Sequence, residues 1–135
     1  MSQPNNYGES VLFTFIKDGK ILCEWRERFG ITQYSIPGGK VDHADRNQDD
    51  YQKTTLFREI WEEFRVTPTQ FQRIGEIWYK DAWLFHVYMV NAWEGEIPAR
   101  VFDSHRQLDW IERTDLEDNY YMIGISALIQ RTLSS

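Results

Sequence analysis

Arg58, Glu59, Glu62 and Glu63 stand together in REIWEEF, inside a segment whose apolar residues recur at helical spacing. On a helix, residues three and four apart are neighbours, so the carboxylates of Glu59, Glu62 and Glu63 share one face. Like charges so placed repel, by roughly a few tenths of a kcal/mol per pair in an isolated helix. A hard divalent cation offsets that repulsion. Mg²⁺ and Mn²⁺ prefer carboxylate oxygens, and Mg²⁺ commonly completes its octahedral shell with substrate phosphates. Arg58, one turn before Glu62, is placed to hold that carboxylate from behind. Taken alone, the same pattern also describes an ordinary solvated amphipathic face. What changes the reading is Pro37-Gly38-Gly39-Lys40 upstream, where the chain must turn and its backbone can approach a ligand closely.

These residues need elements to position them. Residues 11–16 form a β-rich apolar run, Asp18-Gly19 marks a tight turn and 21–26 resumes as a partner strand. A short strand is expected over 34–36. A helix is predicted over 52–64, with Leu56, Ile60 and Phe64 on its inner face and Thr67-Pro68 beyond its end. Two long strands follow, 73–79 and 83–90, joined at Lys80-Asp81, then a strand over 107–112. A last helix over 123–133 packs Ile125, Leu128, Ile129 and Leu133. Strands interleaved with two separated helices predict a mixed β-sheet between helices, an α/β/α sandwich within the α/β (α+β) class. No repeat or linker divides the chain, so 1–135 is expected to be one domain.

The segment from Gly38 to Val66 resembles the box of the Nudix hydrolases, G-x5-E-x7-R-E-U-x-E-E-x-G-U, where U is a bulky apolar residue. Gly39 matches the opening glycine, Arg58-Glu59-Ile60 the R-E-U, Glu62-Glu63 the paired glutamates and Val66 the final U. The resemblance covers most of the chain, since that family's fold is a mixed sheet between helices. Two departures stand out. The upstream glutamate falls on Asp45, and the stretch from there to Arg58 is longer than the box by a five-residue insertion. Arg65 replaces the last glycine, so the helix is expected to leave by some means other than a glycine C-cap.

The resemblance implies an enzyme dependent on Mg²⁺ or Mn²⁺, with Glu59, Glu62, Glu63 and Gly39 at the metal. Arg26, in ILCEWRER, together with Gly38, Gly39 and Lys40, would meet substrate phosphates. Trp93-Glu94-Gly95-Glu96 resembles a segment of mutator-type nucleoside triphosphate pyrophosphatases, which makes Glu96 a candidate ligand or water-orienting base. Arg58, Glu59, Glu62, Glu63 and Glu96 thus make up the expected catalytic set. His43, in the inserted loop, is read as solvated, and His86 and His105 receive no role. Trp78, Tyr79, Trp83, Phe85 and Tyr88 are expected in the core, with alternation leaving some on a face where a base can stack. The base-reading Asn of the mutator enzymes has no counterpart in 121–125, with Asn119 only nearby. Residues 46–51 of the inserted loop are expected to be mobile without substrate, having little to bury.

The chain has 135 residues with 15 basic and 21 acidic side chains, a formal net charge of −6. That balance disfavours a nucleic-acid polymer, whose affinity comes from Lys and Arg displacing counterions. A small phosphorylated ligand stays open, because a bound metal inverts the local charge. The lone Cys23 excludes a disulfide framework. No apolar run approaches the roughly 18 residues that span a bilayer, and the first ten residues lack the features of a signal peptide. The expectation is a cytoplasmic protein without a membrane partner, with a homodimer as the assembly left open. Its expected activity is pyrophosphohydrolysis of a nucleoside diphosphate-linked substrate, first a nucleoside triphosphate or its oxidised form. ADP-ribose and dinucleoside polyphosphates are the alternatives, and a non-catalytic nucleotide-binding module is the rival of a different class.

Overall fold

The computed structural model describes residues 7–134, so the leaderless reading of the first ten residues falls mainly outside the described part. Strand β1 (Gly8–Lys17) turns through Asp18-Gly19 into β2 (Lys20–Arg28), both turn residues having positive φ, 53° and 75°. That is the conformation two-residue hairpins require. A second tight turn, Phe29-Gly30, leads to β3 (Ile31–Ser35), which pairs antiparallel with β2. The glycine run read as a turn is instead a short strand, β4 (Gly38–Lys40), laid antiparallel against the first half of β1. Gly38 has room for no side chain there, since a Cβ would meet the Val11 carbonyl oxygen at 2.4 Å.

Helix α1 (Tyr51–Phe64) is followed at once by β5 (Thr67–Tyr79), antiparallel to β6 (Trp83–Glu94). Both strands outrun the sequence expectation. In β5, register shifts near Pro68, Gln70 and Gly75 break the side-chain alternation without ending the strand. β1 and β6 run parallel from Gly8↔Trp83 to Phe15↔Val90. β7 (Leu108–Glu112) adds to β2, and α2 (Ile125–Leu133) closes the chain after a turn that begins the helix two residues later than expected.

The sheet order is β3-β2-β1-β6-β5, with β4 on β1 and β7 on β2. Among the described residues seven strands in mixed orientation lie between two α-helices, the expected sandwich. On one face Leu56, Ile60 and Phe64 of α1 pack against Val11, Phe13 and Phe15 of β1. Each such side chain contributes roughly 1.5–3 kcal/mol on burial. On the other face Ile125 and Ile129 of α2 pack against Val87 and Met89 of β6 and Ile21 and Cys23 of β2. Cys23 is a small core residue, its thiol pushed up to about 12 by burial and then by the neighbouring Glu24 charge. Among the described residues no helix is long and apolar enough to cross a membrane.

Candidate active site

Asp50 opens α1 by accepting a hydrogen bond from the Lys53 N–H at 3.3 Å. With Leu56, Ile60 and Phe64 turned into the core, the period of the helix puts Glu59, Glu62 and Glu63 on an adjoining face, and Arg58 gathers that face. Its Nη1 donates to Glu59 Oε1 at 2.8 Å and Glu62 Oε1 at 3.2 Å. Its Nη2 and Nε grip both oxygens of Asp45, at 2.8 and 3.3 Å, and Nη2 also donates to the Lys40 carbonyl at 3.0 Å. Asp45 is buried, and it also accepts from Thr55 Oγ1 at 2.8 Å and the Asp42 N–H at 2.9 Å. The Arg58 bond is the largest influence holding its carboxyl down to about 2. Asp45 therefore fixes the arginine that fixes the glutamates.

Glu63 lies deeper, 7% exposed, and its Oε2 has no hydrogen-bond partner. Burial, then the charges of Glu59, Glu24 and Asp103, push its carboxyl up to about 9, against the pull of Arg26. Glu24, on β2, is 1% exposed, and its Oε2 is likewise unpartnered. Its Oε1 accepts from Arg26 Nη2 at 2.6 Å and Nε at 3.0 Å. Burial also raises Glu59, against the opposing charge of Arg58. Sequence reasoning missed both Glu24 and Asp103. Glu24 is placed by strand register and Asp103 by the Phe102 N–H, which donates to the Glu63 carbonyl at 3.0 Å. Neither signal is local in sequence.

Gly39 lies directly against the cluster, where a Cβ would come within 1.9 Å of Glu59 Cδ. The Lys40 ammonium lies over the Trp83 ring, 5.8 Å from its centroid. Glu96 is exposed, in the turn after β6, where the adjoining Gly95 faces Arg65 and Val66 past the end of α1. It is not among the charges that weigh most on Glu63. His43 and His105 lie exposed in loops.

Arg65 closes α1 without a glycine, as expected. It takes the left-handed conformation a glycine would take, φ 58°, with its N–H donating to the Trp61 carbonyl at 3.1 Å. Its guanidinium lies over the Trp61 and Phe102 rings, and those contacts offset the backbone strain.

His86, given no role from sequence, is buried. Arg73 donates to its Nδ1 at 3.1 Å, which leaves the proton on Nε2, 2.7 Å from Glu9 Oε2. Tyr51 donates to the same Glu9 oxygen at 2.8 Å, and Arg46 pairs with Oε1 at 2.7 Å. Burial pushes Glu9 up, but those three partners outweigh it and hold the carboxyl below its usual range. The inserted loop is thus tied to the sheet at both ends, by Arg46 and Tyr51, while 47–50 lie exposed as their composition implies.

A cavity of about 490 Å³ opens beside Arg26. Trp78, Tyr79, Phe85, Tyr120 and Tyr121 line it, so three of the five aromatics expected in the core face a pocket, and of the five only Tyr88 is fully in the core. Arg26 is part of its wall. Asn119 is not, because its side chain is consumed by the backbone: it donates to the Tyr34 carbonyl at 3.1 Å and accepts from the Tyr121 N–H at 2.8 Å.

A model of the NUDIX domain matches residues 8–129. The chain belongs to the Nudix hydrolase family. The Nudix fold extends to solved structures of low identity. MutT described from Aliivibrio salmonicida and Vibrio cholerae is 17% identical with a TM-score of 0.73, over 94% of this chain and 99% of that one. The MutT NUDIX hydrolase of Burkholderia pseudomallei is 23% identical with a TM-score of 0.71, over 93% and 98%. The NUDIX domain of Shewanella oneidensis NrtR, complexed with ADP ribose, is 14% identical with a TM-score of 0.59, over 98% and 90%. No curated protein matches the sequence.

The residues of this Nudix box fit a divalent cation. The donors are all oxygen, Glu63 and Glu24 each offer a buried oxygen with no other partner, and Gly39 leaves the side of Glu59 clear. Among the described residues no three His, Cys, Asp or Glu side chains are already drawn around one point. Arg58 takes an oxygen of Glu59 and one of Glu62.

Proposed function

We propose that this Nudix protein is a Mg²⁺-dependent pyrophosphohydrolase of nucleoside diphosphate-linked compounds, acting first on nucleoside triphosphates, oxidised ones included. The observation that carries this reading is the position of Arg26. It is a wall of the aromatic cavity and, at the same time, the partner of Glu24, whose charge bears on Glu63. A base stacked among Tyr79, Phe85 and Tyr121 would then have its phosphates pass Arg26 toward the helix carboxylates.

Glu59, Glu62, Glu63 and the Gly39 backbone would hold the ion, which supplies charge neutralisation of the phosphates and a lowered pKa for water. Arg58 keeps Glu59 and Glu62 in place, anchored by Asp45. Arg26, Lys40 and the backbone of Gly38 and Gly39 would balance phosphate charge. Glu96 remains our candidate for a ligand or base outside the box, with Asp103 as its competitor because Asp103 acts on Glu63. Water attacks a bridging phosphoanhydride at phosphorus, its proton passes to a carboxylate, and the P–O bond to the leaving pyrophosphate breaks.

A second reading is hydrolysis of ADP-ribose or a dinucleoside polyphosphate. It is favoured by the cavity wall, which among the described residues carries no side-chain amide to select one base, and by the ADP ribose bound to the NrtR domain. A non-catalytic module is disfavoured by the survival of all three helix carboxylates.

The test is product analysis over nucleoside triphosphates, 8-oxo-dGTP, ADP-ribose and dinucleoside polyphosphates with Mg²⁺ or Mn²⁺. Pyrophosphate release from a triphosphate supports the first reading. Turnover of ADP-ribose alone supports the second, and tight binding without turnover of any substrate overturns both.

A further inference from the structure

Among the described residues two buried glutamate oxygens have no hydrogen-bond partner, and only one belongs to the box. Glu63 Oε2 is the box oxygen. Glu24 Oε2 comes from β2, paired across the sheet with Ser35 on one side and Leu108 on the other. An unpartnered buried carboxylate oxygen loses its hydration for no return. The rest of the Glu24 carboxylate is well satisfied. Its Oε1 accepts from Arg26 twice, receives Ser35 Oγ at 3.5 Å and lies 3.8 Å from Arg106 Nη1. The group is therefore held in a fixed pose with one oxygen left free, and its charge bears on Glu63.

We propose that Glu24 is a ligand of the divalent cation, a fourth carboxylate delivered to the helix face by β2 from outside the box. This rests on the metal-site reading above. It also gives Arg26 a second meaning: the same carboxylate orients the phosphate-facing arginine through Oε1 and meets the ion through Oε2, so the charge that holds the substrate and the charge that holds the metal are coupled through one side chain.

The test is Mn²⁺ binding to the free protein, by calorimetry and by the rise in melting temperature on adding Mn²⁺, with no substrate present. Glu24→Gln keeps an oxygen for Arg26 and removes the negative charge. Its Mn²⁺ dissociation constant should rise at least tenfold and its Mn²⁺-induced melting shift should shrink, an effect of the size metal-site changes produce, about 10- to 100-fold. Should Glu24→Gln fail to fold, Glu24→Asp supplies the same measurement, keeping the charge but withdrawing it by one methylene, and should weaken Mn²⁺ as well. A dissociation constant within twofold of wild type in the folded variant overturns the proposal and leaves Glu24 as a holder of Arg26 only. Glu62→Gln separates this from the reading it rests on: if Glu62→Gln weakens Mn²⁺ and Glu24→Gln does not, Glu24 alone is wrong, and if neither does, the metal centre itself is elsewhere.

Discussion

Glu9 and Glu24 are both glutamates on adjacent strands, both almost fully buried, and they are treated in opposite ways. Around Glu9 the protein has placed His86, Tyr51 and Arg46, so that both oxygens are engaged and the carboxyl is held low. Around Glu24 one oxygen is engaged and the other abandoned, and the adjoining Glu63 is pushed up to about 9. A satisfied buried acid rigidifies a fold. One left unsatisfied marks a place kept ready for something else. The Glu9 cluster ties the inserted loop to the sheet, whereas the Glu24–Glu63 cluster is the one we propose for a cation.

Substitution should separate the two clusters most sharply. Glu63→Gln keeps the side-chain shape and removes a charge the metal-free protein holds only at a cost. Turnover should therefore fall by three orders of magnitude or more while the melting temperature stays level or rises. Glu9→Ala should do the reverse. It strands His86 and Arg46 and should cost about 3 kcal/mol or more of stability, as breaking a buried pair does, with kcat of the folded fraction retained. If Glu9→Ala removes activity without loss of stability, the two clusters are not distinct.

The pH dependence sharpens the same contrast. Glu63 is raised in the folded protein, so its contribution to stability is fully present below about 4.5 and is lost as pH rises toward about 9. Asp45 is lowered, so its contribution is present above 3.8 and is lost as pH falls toward about 2. Melting curves in a chelator should decline from pH 5 to 9 for wild type and flatten for Glu63→Gln. Metal affinity should rise over the same window, because binding must displace the Glu63 proton.

A smaller effect decides between the two carboxylates outside the box. Asp103→Asn removes a charge that raises Glu63 and should move the rising limb of the pH-rate profile to lower pH, whereas Glu96→Gln should leave the profile in place if Glu96 is a surface residue. A Glu96→Gln variant rescued by excess Mn²⁺ would instead make it a ligand, as the sequence reading proposed. The smallest effect is expected at Arg65. Arg65→Gly relieves the left-handed strain and gives up the stacking on Trp61 and Phe102, so stability should change by less than about 1 kcal/mol.

What was legible in the sequence was what is local. The three helix carboxylates and the inner stripe of Leu56, Ile60 and Phe64 follow from one period within one element, and the hairpin at Asp18-Gly19 from two residues. What escaped depends on register between distant strands. Glu9 pairs with Leu84 and Val11 with His86 across a parallel ladder, so Glu9 and His86 are diagonal neighbours that no spacing in the chain announces. Glu24 and Asp103 are brought to Glu63 in the same non-local way. Asp45 could be placed by counting along the box, but its work as the anchor of Arg58 could not, because the inserted loop hides the distance between them. The left-handed Arg65 shows that a missing glycine does not abolish the cap when flanking aromatics offset the strain.

On this reading the unsatisfied carboxylates Glu63 and Glu24 are where phosphoanhydride chemistry happens. Phosphorus NMR of dGTP with Mg²⁺, followed for wild type, Glu63→Gln and Glu9→Gln at matched folded concentration, tests it most directly. Wild type and Glu9→Gln should give dGMP and pyrophosphate, and Glu63→Gln no measurable product. Pyrophosphate release by Glu63→Gln at the wild-type rate would contradict it.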